Sequence, residues 1–123
     1  MAGWIAFMIE RDELDLTDPG NAGFRSRVME TQAELQAALQ SGYARARKAL
    51  EGTTEEHLMK TWRFKMRDQV ASEQPRHIMI SDAVFSHLAH HRGQLTVYLR
   101  LNEAKVPAIY GPSADEFHSG TPR

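Results

Sequence analysis

The sequence predicts an all-α fold, a single-domain bundle of three main helices plus a short one spanning residues 1–123. Three observations carry that reading. Phe24, Val28, Leu35, Ala38, Leu39, Ala46 and Leu50 recur at roughly helical spacing. Val84, Leu88, Leu95 and Leu99 form a second stripe, on one side of a wheel drawn at about 100° per residue. Trp4, Ile5, Phe7 and Met8 make a third apolar cluster at the start of the chain.

The first dozen residues read as the end of a helix already in progress. Nothing ahead of Trp4 caps a helix start, so preceding sequence is expected to be missing. Thr17-Asp18-Pro19-Gly20-Asn21 is a dense turn signal. A long helix is expected from about Ala22 to Leu50, weakened at Gly42 and capped by Gly52. Thr53-Thr54-Glu55-Glu56 then places an N-cap ahead of acidic first-turn residues and opens a short helix through about Lys60.

Trp62-Arg63-Phe64-Lys65-Met66-Arg67 alternates apolar and basic residues. A period of two predicts an extended segment or small hairpin along one edge of the core, with Arg63, Lys65 and Arg67 on its solvated face. The last helix is expected to begin between Ser72 and Pro75 and to run to about Asn102. The tail Val106-Pro107-Ala108-Ile109-Tyr110-Gly111-Pro112-Ser113 reads as a loop folding back on the bundle. Pairing of Arg92 with Asp115 or Glu116 is expected to pin it, and the chain from Phe117 onward is expected to fray.

Composition narrows the function. A net charge of −1, without a basic run, gives no reason to expect nucleic acid as a partner. The absence of cysteine rules out a disulfide framework, a cysteine-rich zinc site and a cysteine nucleophile, and it fits a cytoplasmic protein. No apolar stretch approaches the roughly 20 residues needed to span a bilayer, so no membrane partner is expected. The apolar start runs straight into Glu10-Arg11-Asp12-Glu13 without a basic leader and is not read as a signal peptide.

His87-Leu88-Ala89-His90-His91-Arg92-Gly93-Gln94 is the segment with chemical content. His87 and His91, one helical turn apart, can reach a single metal ion, and paired imidazoles suit zinc, nickel, copper or iron. On the wheel His91 falls within the core stripe, His87 on its shoulder beside Tyr98, and His90 points away. Gln94 lies on the flank nearer His87. Two inward imidazoles among Leu and Val are costly unless their nitrogens are satisfied, by a metal or by hydrogen bonds. The segment is not the metalloprotease helix, because Leu88 stands where that motif carries its general-base Glu.

This segment, with Val97-Tyr98-Leu99-Arg100 and the tail from Val106 to Glu116, closely resembles the C-terminal signature of the DinB-like family. Gly3-Trp4 and Asp12-Glu13-Leu14-Asp15-Leu16 resemble the region after that family's first metal histidine. The resemblance implies a four-helix bundle, often dimeric, holding a divalent metal, nickel or zinc, on three histidines. Two of the three correspond to His87 and His91. The third has no counterpart here, and the family's first helix also has none, so the expected form is an N-terminally truncated bundle.

A bundle short of one helix exposes an apolar groove, so a homodimer is expected. A third ligand would have to come from Glu10, Asp12, Glu13, His77 or a second chain, with Gln94 and Tyr98 placed to orient a bound water or substrate. The resemblance implies a hydrolase or thiol transferase in which the metal activates a water or a thiolate, its substrate unknown. The alternative is a non-catalytic helical dimer that has lost a complete metal site.

Overall fold

The computed structural model describes residues 2–24 and 28–117. Two compact units divide the chain, Met1–Phe85 and Ser86–Arg123.

The first unit is not a pure helix bundle. It opens with helix α1 (Ala2–Glu10) and a short strand β1 (Glu13–Asp15). A 3-10 turn over Pro19–Phe24, helix α2 (Gln32–Glu51) and helix α3 (Glu55–Met59) follow. Next come strands β2 (Thr61–Met66) and β3 (Gln69–Pro75), then helix α4 (Arg76–Ile80). The strands form one mixed sheet in the order β1-β2-β3, β1 parallel and β3 antiparallel to β2.

This sheet overturns the all-α expectation. The apolar–basic alternation predicted β2, and β2 is a strand. Its two partners carry no such signal. Glu13–Asp15 is too short to show a period, and Gln69–Pro75 holds a single large aliphatic residue, Val70. Both are strands because β2 offers them a backbone ladder, with Glu13 opposite Arg63 and Glu73 opposite Arg63 on the other side. The helix expected to begin between Ser72 and Pro75 accordingly starts at Arg76, as α4, after the strand that ends on Pro75.

Helix α2 also starts later than its apolar period suggests, at Gln32. Thr31 and Glu34 form a capping box: the Thr31 hydroxyl accepts from the Glu34 amide, and the Glu34 carboxylate accepts from the Thr31 amide. Phe24 ends the 3-10 turn instead, and residues 25–27 lie outside the described segments. The other boundaries agree with expectation. The Gly52 amide caps α2 on Lys48 O, and Thr54 caps α3 by accepting from the His57 amide.

Helix α1 supplies the centre of the core. Ile5, Ala6, Phe7, Met8 and Ile9 are all buried, as expected of a helix that is apolar around its circumference. Phe7 stands edge-on between Trp4 and Trp62, with ring centroids 6.5 and 6.4 Å away. Leu14, Ala46, Met79, Ile80 and Val84 join this cluster.

Arg76 is fully buried and ties the unit's helix ends together. Its guanidinium donates to Met8 O, His57 O and Arg11 O and pairs with Asp12. Carbonyls left over at helix C-termini need donors, and a single planar fork with five N–H groups serves several of them.

The second unit consists of helix α5 (His87–Leu101), a loop and a short helix α6 (Ala114–Phe117). The loop is held to α5 largely by polar contacts. Asp115 pairs with Arg100 at 2.7 Å and accepts from the Val106 amide, and Glu116 accepts from the amides of Ala108 and Ser113. Arg92 donates to Ile109 O. The tail is therefore pinned as expected, with Arg100 in the ion pair expected of Arg92.

Candidate histidine site

His87 and His91 open helix α5, and the segment before it, Ser81–Ser86, is π-helical. The facing expected of the histidines fails. Val84 is buried, but Leu88 is 39% exposed and Leu95 60% exposed, and His87 and His91 are exposed with them. Among the described residues of its own unit, α5 is met only by the tail.

The spacing does bring the two rings together. Their Nε2 atoms lie 2.8 Å apart, with ring centroids at 4.5 Å. Nδ1 of His91 lies 2.8 Å from Oε1 of Gln94. Oε1 can only accept, so Nδ1 of His91 carries the proton and a neutral His91 ring presents its lone pair at Nε2. Nε2–H of His87 then donates to that lone pair. One side chain, Gln94, thus selects the tautomer of His91.

His90 was expected to point away, yet its ring centroid lies 5.3 Å from that of His91 and 6.4 Å from that of His87. Three imidazoles therefore crowd the first turns of α5. Adjacent helical side chains that are long enough can lean together from different sides, which a wheel of Cα directions does not show. Tyr98, one turn beyond Gln94, is 63% exposed and makes no hydrogen bond to the pair.

The residues considered as a third ligand are engaged elsewhere. Glu10 pairs with Arg45, and this hydrogen bond holds its carboxyl below the usual range. Asp12 pairs with Arg76, and Glu13 with Lys65 at 2.7 Å. Nδ1 of His77 is 3.2 Å from Leu58 O. Among the described residues, no group of three or more His, Cys, Asp or Glu side chains is arranged to hold a metal ion. The basic residues of β2 are likewise partnered, Arg63 with Glu73 and Lys65 with Glu13. No helix among the described residues is long and apolar enough to cross a membrane.

The chain belongs to the DinB family, whose model matches residues 22–122 and so includes the pair, Gln94 and the tail. No curated protein and no solved structure matches the chain.

Proposed function

We propose that this protein binds a divalent metal, zinc or nickel, through Nε2 of His87 and Nε2 of His91, with Gln94 orienting His91. The observation that carries this reading is the convergence of the two Nε2 atoms. Two nitrogens on one zinc, each at about 2.0–2.1 Å, stand about 3.3 Å apart in tetrahedral geometry. The pair at 2.8 Å needs to open by a few tenths of an ångström, within the reach of exposed side chains. The tautomer of His91 supports the same reading, because its Nε2 carries a lone pair; His87 has to shift its proton from Nε2 to Nδ1 to offer the second donor. An acceptor on the other ring nitrogen is the usual companion of a ligating histidine.

The donors present make half of a metal site. A bound metal would supply Lewis acidity, lowering the pKa of a water or thiol for hydrolysis or thiol transfer, the activities that the family resemblance implies. Such catalysis takes three protein ligands and one open position. The alternative is a non-catalytic protein in which the two imidazoles serve each other, as they do through the His87–His91 hydrogen bond.

Metal analysis on untagged protein separates these readings. Stoichiometric zinc or nickel that is lost in both His87→Ala and His91→Ala supports the metal reading. Absence of metal binding in wild-type protein titrated with zinc and with nickel refutes it.

A further inference from the structure

We propose that the first unit carries a binding site for a small, uncharged aromatic molecule of a single ring. The site is the cavity between Trp4 and Met8 of α1, Trp62 and Phe64 of β2, and Met79 and Ala83 of the helical stretch after β3. It stands apart from the metal reading, since none of these residues belongs to α5.

The sequence places these side chains in pairs. Trp4 and Met8 are four residues apart on α1 and so share one side of that helix. Met79 and Ala83 are likewise four apart, across the junction of α4 with the π-helical turn. Trp62 and Phe64 alternate onto one face of β2, and Ser72 of β3 stands opposite Phe64 in the ladder. Large side chains thus converge from three elements, while Ser72 and Ala83 are too small to fill the space between them. The volume left is about 180 Å³. Met8, Trp62 and Met79 are buried and form the floor, and Trp4, Phe64, Ser72 and Ala83 are half-buried and form a rim that reaches solvent.

The walls decide the occupant. An apolar cavity of about 150 Å³ stays dry and takes up benzene, so this one has room for a single ring. It falls well short of the roughly 300–1,000 Å³ of sites that hold larger ligands. The surface turned to the cavity is apolar, and a water held there would lack the polar partners it needs. Rings favour edge-to-face and offset contacts with other rings, and thioether sulfurs favour ring edges. Two indoles, a phenyl ring and two thioethers surround the space, so a ring gains more here than an aliphatic chain of equal size. No charged side chain lines the cavity, so a charged ring would be desolvated without compensation. The cavity is also preformed, because Phe7 stands edge-on to both Trp4 and Trp62 and fixes the two indoles.

Methyl NMR on the full chain, labelled at the methionine methyl carbons, tests the site. Toluene is the probe and benzoate its charged counterpart. Met8 and Met79 line the cavity, whereas Met59 and Met66 are more than half exposed elsewhere. Toluene is expected to shift the Met8 and Met79 resonances saturably through its ring current, with a Kd on the order of 1 mM. Met59 and Met66 should stay in place, and benzoate should shift none of the four. Ala83→Leu fills the cavity from the helix wall and Ser72→Leu from the sheet. Each is expected to weaken toluene binding about 10–100-fold, with the Met59 and Met66 resonances marking a retained fold.

Absence of saturable shifts at Met8 and Met79 in the wild type would overturn the site and leave the cavity a gap in the packing. That titration needs neither variant to fold. Equal shifts at all four methyls would report partition onto the surface and overturn it too, as would wild-type affinity in either folded variant. Equal binding of benzoate would overturn the assignment to an uncharged ring.

Discussion

Oε1 of Gln94 sits 2.8 Å from Nδ1 of His91 and thereby decides which nitrogen of that ring is free. Without the glutamine, His91 can carry its proton on either nitrogen and the lone pair at Nε2 is no longer guaranteed. Gln94→Ala is expected to weaken zinc binding by about 10–100-fold, the usual cost of losing the hydrogen-bond partner that orients a ligating histidine. Gln94→Glu, which keeps the acceptor, is expected to retain affinity. Isothermal titration with zinc on the two variants checks this. An unchanged affinity in Gln94→Ala would show that the glutamine has no part in the site.

Arg76 is the fully buried donor that serves Met8 O and His57 O. Arg76→Met keeps much of the volume but takes the side-chain donor from Met8 O, while His57 O keeps the Lys60 amide. A buried acceptor that loses its donor costs about 1–3 kcal/mol, and a loss in that range is expected. Urea unfolding measures it. A variant within about 0.5 kcal/mol of wild type would mean that water or rearrangement replaces the arginine.

The capping box at Thr31 is local and exposed. Thr31→Ala is expected to cost about 1 kcal/mol and to fray the first turn of α2. Faster hydrogen exchange at the Glu34 and Leu35 amides, which bond to the Thr31 hydroxyl and carbonyl, reports the fraying directly. Unchanged exchange at both would remove the cap from the account.

Acid should release the tail. The Arg100 side chain, followed by the Val106 amide, holds the Asp115 carboxyl below its usual range. A carboxyl depressed in the folded state contributes stability above its unfolded pKa, and this contribution is lost as pH falls through the lower folded value. The loss should therefore begin below about pH 4. The amide resonance of Val106 followed by NMR should move with the Asp115 titration. In Asp115→Asn the pH dependence at Val106 should vanish; persistence there would assign the transition to another group.

Local signals in the chain determined several features by themselves. Thr54 and Gly52 mark helix ends because capping uses hydrogen bonds within a few residues. Strand β2 was legible in the two-residue period of Trp62 to Met66, and the convergence of His87 and His91 in their spacing. The capping box of Thr31 and Glu34 was equally present in the sequence, and would have placed the start of α2 correctly.

The tertiary structure decided the rest. Glu13–Asp15 and Gln69–Pro75 become strands only because β2 lies beside them, a pairing between distant parts of the chain. The exposure of His87 and His91 likewise depends on what packs on α5 and could not be read from the apolar stripe of the sequence. Arg76 is fully buried because the carbonyls it serves come together only when α1 and α3 are packed, which no local pattern marks. Hydrogen bonds within a turn are encoded by neighbouring residues, whereas ladders, side-chain exposure and buried donors depend on what the folded chain brings alongside.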